Sequence, residues 1–196
     1  MNEEIKIVDE YIRESEHQKL LGILKRRDFP WTFTQKTGEM DINGYGNNPL
    51  NTQMTHFFVD YRIASFSPFF EYVLPLVNQQ SIIAISRIKA NLELCNENHV
   101  ESDFHYDNST MYGIKEIPEP HITNIVYYVN TNNGYTEFET GEKVESVANR
   151  AVIFPNTMLH RGVSQTDTHF RAVINMNLCF SATDQSPSNP NNNLTQ

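Results

Sequence analysis

Long apolar runs are missing from the sequence, and so is an N-terminal targeting pattern. No stretch approaches the roughly 20 apolar residues that span a bilayer. Residues 1–4 lack the basic and apolar regions of a secretion signal. These two absences predict a protein of the cytoplasm that makes no contact with a membrane.

Cysteine is scarce as well. The 196 residues include two cysteines, Cys95 and Cys179, and neither belongs to a CxxC pattern or to a cluster of metal-binding type. We therefore expect two buried, reduced thiols rather than a disulfide.

Positively charged residues are fewer than negatively charged ones. The chain has 15 Lys and Arg against 24 Asp and Glu, which gives a net charge of −9 and a pI of about 5.2. A protein that follows phosphate groups usually carries a basic surplus, so nucleic acid is disfavoured as a general partner. A local basic cleft stays open. We expect a small-molecule or protein substrate, and the composition does not bear on the oligomeric state.

Aromatic residues and short strand-like segments are abundant. The 12 Phe and 9 Tyr suit a β-rich interior, and strands with turns between them follow one another in the second half of the chain. The pattern predicts one domain over 1–180, with a helical and loop buttress (1–80) and a β core (81–180). The fold class is mainly β with buttressing helices, as an antiparallel sandwich or jelly roll. Residues 181–196 are predicted to be a disordered tail.

Two helices are predicted in the first half. The first covers 8–27, with Asp9 and Glu10 in the first turn to complement the helix dipole. The second begins after a cap at Ser67, and Pro75 is expected to shorten or kink it. In the second half, a Thr-Asn-Asn-Gly turn at 131–134 predicts a β-hairpin.

Polar and apolar side chains alternate in two of the predicted strands. In residues 87–92 the apolar row should pack into a layer, while the polar row faces water or a polar cavity. In residues 170–178 one row is purely apolar and is predicted to face the core. The other row contains an arginine, which is unusual unless the row lines a wet cavity or faces solvent. The polar members of these rows are Arg87, Lys89, Asn91, Arg171, Asn175 and Asn177.

A histidine and a carboxylate stand two positions apart at His105 and Asp107. On an extended segment they point to the same side, so both can reach one metal ion. The best candidate for a third ligand is His160. Two His and one carboxylate with open opposite positions are typical of non-haem Fe(II) oxygenases. Arg171, on a strand that follows, could hold a dicarboxylate through two parallel hydrogen bonds.

Each residue has a plainer explanation when it is taken alone. A bare His-x-Asp pattern arises by chance, and His105 could be a solvated loop histidine. His160 could make an ordinary hydrogen bond at the end of a strand, and Arg171 could pair across a sheet surface. Together they favour a site, because the ends of separated strands in a jelly roll meet at one open mouth. Two alternatives remain. A non-catalytic jelly-roll binding module needs no such set, and a cupin-type dioxygenase or isomerase would need the metal ligands without Arg171.

Several segments resemble one known family, the 2-oxoglutarate/Fe(II)-dependent oxygenases, and within it the prolyl-hydroxylase-like branch and small phage-encoded members. The resemblance covers about residues 82–178 and implies a double-stranded β-helix, with the host cytoplasm as the location if the protein is phage-encoded. The segments that carry it are 103–107, 125–130, 133–138, 152–155, 160–162 and Arg171, together with 87–92 and 130–136 for the phage-encoded members.

The resemblance also implies roles for individual residues. His105, Asp107 and His160 would be the iron ligands. Arg171 would bind the distal carboxylate of 2-oxoglutarate, with help from Tyr128, and Asn91 falls near a position that touches this co-substrate.

The activity implied is hydroxylation of a C–H bond with Fe(II), 2-oxoglutarate and O2, with ascorbate as reductant, and release of succinate and CO2. No side chain need act as a general base. There are two departures. The spacing from His160 to Arg171 is slightly longer than in many relatives, and the loop after Asp107 is longer than in compact prolyl hydroxylases. The substrate is therefore not carried over. A peptidyl proline or other residue, a small metabolite and a modified nucleobase stay open, and the overall acidity of the chain weighs against the nucleobase. Arg87, Lys89 and Asn175 are the candidates for contacting the substrate.

Overall fold

The computed structural model describes residues 4–35, 50–61, 65–79, 81–107, 109–112 and 115–180. The tail predicted for 181–196 lies outside these residues. The strands are β1 (Lys6–Val8), β2 (Thr32–Gln35), β3 (Thr52–Asp60), β4 (Ser65–Phe66), β5 (Ile82–Leu94), β6 (Ser109–Tyr112), β7 (Lys115–Pro118), β8 (Thr123–Tyr128), β9 (Tyr135–Phe138), β10 (Lys143–Glu145), β11 (Arg150–Pro155), β12 (His160–Val163) and β13 (Phe170–Phe180). The helices are α1 (Glu14–Leu24) and α2 (Leu74–Val77), the second preceded by a 3-10 turn (Phe70–Val73).

The strands form a large antiparallel sheet and a small one. The large sheet has the order β1-β11-β8-β13-β5-β3-β2, with β4 also paired to β3, and the small sheet has the order β10-β9-β12. A separate hairpin joins β6 and β7. The predicted fold class, mainly β with antiparallel sheets and buttressing helices, is confirmed.

Strand β13 lies at the centre of the large sheet, between β8 and β5. Its apolar row, from Ala172 to Leu178, packs in the main core together with Leu20 and Ile23 of α1. Each fully buried Leu or Ile in this layer stabilises the fold by about 1.5–3 kcal/mol. Its opposite row is mixed: Val173 packs with Tyr128 in a second, smaller core under the small sheet, whereas Arg171 and Asn175 line a polar cavity. The alternation in the sequence thus predicted both faces of this strand.

The first predicted helix is wrong at its N-terminus. Lys6–Val8 is an edge strand that pairs with Ala151–Ile153 of β11, and the helix begins at Glu14. Asp9 lies before the helix and accepts a hydrogen bond from Nε of Arg150 at 2.6 Å, so it does not have the predicted interaction with the helix dipole. The long-range pairing satisfies the backbone of 6–8, which overrides the local helical preference.

The second predicted helix also differs. Oγ of Ser67 accepts a hydrogen bond from the backbone N–H of Phe69 at 3.1 Å, as a cap would, but a 3-10 turn follows. Pro75 lies in the first turn of α2, where its missing N–H needs no partner, and it therefore does not kink a longer helix.

The hairpin predicted at 131–134 is wrong, because β8 and β9 belong to different sheets. The side chain of Asn132 accepts a hydrogen bond from the backbone N–H of Gly134, and the Asn132 N–H donates to the carbonyl of Ser146. These bonds guide the chain from the large sheet to the small one. The true hairpin joins β9 and β10 through Gly141, whose φ of +89° suits glycine.

Three smaller expectations can be compared with the structure. Both cysteines are free, but Cys95 is exposed and Cys179 only half-buried, so the prediction of two buried thiols is wrong. Among the described residues, no helix has the length and apolar character that crossing a bilayer requires. The segment 1–80, predicted as a helical and loop buttress with strand-like pieces at 31–34 and 56–59, contributes β1, β2, β3 and β4 to the large sheet. The division of the chain at residues 80 and 180 stays a prediction.

Candidate metal centre and co-substrate cavity

His105 and His160 are brought together by their backbones. The N–H of His105 donates to the carbonyl of His160 at 3.0 Å, and the N–H of His160 donates back at 3.3 Å. This isolated bridge sets the two imidazole centroids 4.9 Å apart. His160 begins β12, so the small sheet fixes its position, and His105 is aligned against it.

Asp107 completes a group of three potential metal ligands. One of its carboxylate oxygens lies 3.9 Å from Nε2 of His105 and the other lies 3.9 Å from Nε2 of His160. The three ligand atoms all lie within 4.8 Å of one another, a spacing that suits donors around one cation. Sequence spacing placed His105 and Asp107 together, and the structure brings His160 to them.

The second nitrogen of each imidazole has its own backbone partner. Nδ1 of His105 lies 2.9 Å from the carbonyl of Asp103, and Nδ1 of His160 lies 3.2 Å from the carbonyl of Met158. A carbonyl oxygen can only accept, so Nδ1 carries the proton in both rings. In the neutral form of each ring, Nε2 then keeps its lone pair, which is the form that binds a metal. The donor set fits a divalent ion.

Two buried side chains hold the carboxylate of Asp107. Nη2 of Arg87 donates to Oδ1 at 3.1 Å, and Nδ2 of Asn177 donates to Oδ2 at 3.0 Å. Nε of Arg87 also donates to Oδ1 of Asn177 at 2.8 Å, so the three side chains form a closed ring. Asn177 donates further to Asn124, which extends this network below the site.

The charges of the site keep its ligands in their metal-binding forms. Burial alone would raise the pKa of Asp107, but the guanidinium of Arg87, with smaller contributions from the two histidines, outweighs it and holds the pKa well below its usual range. Burial lowers the pKa of His160 to about 4, although Asp107 opposes this shift. At neutral pH the site therefore offers a carboxylate and a neutral imidazole without needing a proton to leave.

A cavity of about 380 Å³ opens above these ligands, and its lining includes eight of the nine residues predicted for the site. Cross-strand pairs of β5 and β13 supply one wall, with Arg87 opposite Asn177 near the ligands and Glu93 opposite Arg171 at the other end. The polar row of β5 thus faces a polar cavity, which was one of the two predicted alternatives, and does not face bulk water. The predicted residues that line it are His105, Asp107, His160, Arg171, Asn91, Arg87, Lys89 and Asn175.

Arg171 is fixed at the far end of this cavity and is only 3% exposed. Its Nε donates to Oγ of Ser146 at 3.0 Å, and its Nη2 donates to the carbonyl of Tyr135 at 3.4 Å. The aliphatic stem passes close to Gly134, where an added Cβ would lie 2.7 Å from Cδ of Arg171. Gly134 is therefore the residue that lets the arginine reach the cavity.

Tyr128 is fully buried and is not among the cavity-lining residues. Its hydroxyl donates to Oγ1 of Thr136 at 2.8 Å, and burial raises its pKa to about 12. The guanidinium of Arg171 lies 5.8 Å from the centroid of its ring. The geometry thus supports an indirect part for Tyr128, beneath Arg171 and Thr136, in place of the direct contact with a carboxylate that the resemblance implied.

Three residues that contribute to the site were not predicted from the sequence. Thr136 and Glu93 line the cavity, and Asn177 holds Asp107. Glu93 follows Arg87, Lys89 and Asn91 in the same alternating row, so continuing the row by one step would have found it. Nothing in the local sequence marks Thr136. Oδ1 of Asn91 is buried and has no hydrogen-bond partner among the described residues, which suits a group that awaits a donor.

The fold was compared with known proteins. No family model matches the chain, and no curated protein sequence matches it. The chain is similar to the viral collagen prolyl hydroxylase of Paramecium bursaria Chlorella virus-1, solved with 2-oxoglutarate (10% identity, TM-score 0.56, 92% of this chain and 97% of that one). It is also similar to a Pseudomonas putida prolyl-4-hydroxylase (11%, 0.56, 92% and 94%).

A third similar structure is the non-haem α-ketoglutarate-dependent epimerase SnoN of nogalamycin biosynthesis (10% identity, TM-score 0.59, 96% of this chain and 88% of that one). At these identities the likeness concerns the fold. The resemblance to a prolyl-hydroxylase-like oxygenase is confirmed at that level, and the chain has the fold of the 2-oxoglutarate/Fe(II)-dependent oxygenases.

Proposed function

We propose that the protein is an Fe(II)- and 2-oxoglutarate-dependent dioxygenase that hydroxylates a C–H bond of its substrate and releases succinate and CO2. The observation that carries the proposal is one cavity that joins His105, Asp107 and His160 to a buried, fixed Arg171. Neither feature alone would suffice, because many proteins bind metals and many hold a buried arginine.

His105, Asp107 and His160 would hold the iron, which supplies the activation of O2 when it is bound. In their neutral form both imidazoles present the lone pair of Nε2, because backbone carbonyls engage their Nδ1 protons. Arg87 and Asn177 orient the carboxylate of Asp107, and such supporting contacts commonly change metal affinity 10–100-fold when they are lost.

Arg171 would bind the distal carboxylate of 2-oxoglutarate. Its three engaged N–H groups leave one N–H on each terminal nitrogen, the number needed for a two-pronged bond to a carboxylate. Val126 and Val173 also line the cavity and offer apolar contact for methylene groups between its two ends. Asn91 is a further candidate for contact with the co-substrate, through its buried amide oxygen.

The substrate class is left open between a peptidyl residue and a small metabolite. Lys89 and Asn175 are direct neighbours across β5 and β13, and both line the cavity between its two ends. Proteins of this fold include prolyl hydroxylases and an epimerase, so the fold does not fix the reaction on the substrate. Arg87 is less suited to bind the substrate than the sequence predicted, because Asp107 and Asn177 engage it.

Two other functions compete with this one. A non-catalytic binding module has no need for three metal donors next to a fixed arginine, and a cupin-type dioxygenase or isomerase has no need for the arginine. Binding of 2-oxoglutarate to the metal-loaded protein separates both from the proposal.

The test is formation of succinate from 2-oxoglutarate. The wild type is loaded with Fe(II) under anaerobic conditions and then exposed to O2, beside His160→Ala and the control His121→Ala, whose side chain is exposed. We expect iron-dependent succinate from the wild type and the control, and none from His160→Ala. Succinate from His160→Ala would refute the ligand assignment. A metal-loaded wild type that neither forms succinate nor binds 2-oxoglutarate would favour the binding module.

A further inference from the structure

A second carboxylate lies beside the arginine of the cavity. Oε1 of Glu93 is 3.4 Å from Nη1 of Arg171, and the two residues are 5% and 3% exposed. They are direct neighbours across β5 and β13, and both line the cavity. The pairing of the two central strands therefore builds this ion pair into the wall.

Glu93 does not use up the hydrogen-bonding capacity of Arg171. The arginine donates from Nε to Ser146, from Nη1 to Glu93 and from Nη2 to the carbonyl of Tyr135. A guanidinium has five N–H groups, so one on each terminal nitrogen is left for a ligand. Glu93 and a ligand carboxylate can thus share the same cation.

The charge of this end of the cavity changes when an acid binds. Glu93 balances Arg171 before binding, so a ligand carboxylate adds an uncompensated negative charge close to Glu93. In a buried site, two like charges about 5 Å apart repel each other by about 3 kcal/mol at an effective dielectric constant of about 20, which weakens binding by about two orders of magnitude. A neutral distal group, such as a carboxamide, meets no such repulsion and can also donate a hydrogen bond to the Glu93 carboxylate.

We propose that Glu93 is a specificity-determining residue that limits the affinity of Arg171 for co-substrates with a distal carboxylate. This inference rests on the proposed function. It makes Glu93 a restraint on 2-oxoglutarate binding, the opposite of a residue whose only task is to hold Arg171 in place. Loss of the Glu93 charge should therefore tighten binding of the dicarboxylate, whereas loss of a holding residue would weaken it.

The test measures binding by calorimetry, with the protein loaded with Ni(II) so that turnover does not interfere. Glu93→Gln keeps the size and an acceptor oxygen for Arg171 but removes the charge. Two ligands are compared, 2-oxoglutarate and its 5-carboxamide, 2-oxoglutaramate. We expect Glu93→Gln to bind 2-oxoglutarate about tenfold or more tightly than the wild type does. Its affinity for the carboxamide should change less than about threefold or decrease.

Two controls make the outcomes separable. Glu101→Gln removes a half-exposed carboxylate that pairs with Arg161 outside the cavity and should leave both affinities unchanged. Arg171→Gln should abolish binding of the dicarboxylate. The role of Glu93 would be overturned if folded Glu93→Gln bound 2-oxoglutarate no more tightly than the wild type, or if binding of both ligands tightened equally. Neither outcome would affect the proposed function. No binding of 2-oxoglutarate by any Ni(II)-loaded protein would overturn the proposed function and this inference with it.

Discussion

Nη2 of Arg87 lies 3.1 Å from Oδ1 of Asp107, and the two side chains are only 11% and 8% exposed. A buried pair of this kind is asymmetric, because breaking it leaves an uncompensated charge that costs about 3–5 kcal/mol. In this protein the carboxylate is also the anionic member of the candidate metal site. The pair therefore contributes both to the stability of the large sheet and to the ionisation of Asp107 in the candidate metal site.

Arg87→Met should destabilise the metal-free protein by about 3 kcal/mol and make metal binding more sensitive to acid. Without Arg87, burial is opposed only by the smaller contributions of the two histidines and Lys89, so the pKa of Asp107 rises and protons compete with the metal at a higher pH than in the wild type. The measurements are urea unfolding and Co(II) titration at pH 6 and pH 8. Lys89→Met removes a neighbouring cation of the same strand and should retain most of the affinity. Equal pH dependence in wild type and Arg87→Met would contradict this role.

Divalent metal should stabilise the wild type against heat and should have no such effect on Asp107→Asn. A ligand that binds only the folded state adds about 2.7 kcal/mol of stability at 100 times its Kd. Asparagine has nearly the same shape as aspartate but lacks the charge that attracts the ion. The measurement is the change in Tm with Ni(II), before and after a chelator is added. An undiminished shift in Asp107→Asn would place the metal elsewhere.

Gly134→Ala should weaken binding of 2-oxoglutarate and lower stability by about 1–3 kcal/mol. The new Cβ would meet Cδ of Arg171 at 2.7 Å and the backbone carbonyl of Val163 at 2.8 Å, so the arginine must move. Gly22→Ala is the matched control. Gly22 lies within α1 with nothing within 4 Å of its added Cβ, and alanine there should stabilise the protein by about 0.5–1 kcal/mol. Unfolding and calorimetry on both variants check the pair, and unimpaired 2-oxoglutarate binding in Gly134→Ala would contradict the first expectation.

Stability should decrease as the pH falls below about 6.5, the ordinary pKa of histidine in an unfolded chain. Burial lowers the pKa values of His17, His56 and His160. Below about pH 6.5 these three residues therefore bind more protons in the unfolded chain than in the folded one. Their contribution is fully present above pH 6.5 and is lost towards the folded pKa, which for His160 is about 4. Unfolding free energies from pH 8 to pH 4.5 measure it. His17→Gln should flatten the curve, whereas His121→Gln should not, and an unchanged slope in His17→Gln would exclude its part.

Much of the site could be predicted from the sequence, because its signals are local. His105 and Asp107 are two residues apart, and an extended backbone directs the side chains of such residues to one side. The alternation along β13 identified both its core face and the row that contains Arg171. The alternation along β5 identified its polar row, and only its end at Glu93 was missed.

Other features depended on partners far away in the chain. Asp9 was assigned to a helix because nothing nearby reveals Arg150, 141 positions later. The turn at 131–134 has the composition of a hairpin, yet its two strands pair with different sheets. Local propensity cannot report which strand wins a long-range pairing, since that choice depends on the burial of whole faces.

The sequence by itself determined the kinds of side chain available, two imidazoles, a carboxylate and an arginine, and the faces of β5 and β13 on which the polar rows lie. Tertiary structure alone decided their neighbours. The register of β5 against β13 sets Arg87 beside Asn177, so that both clamp Asp107, and sets Glu93 beside Arg171. Period-two alternation fixes a face but leaves register undetermined, because a slip of two residues preserves the face and changes every partner.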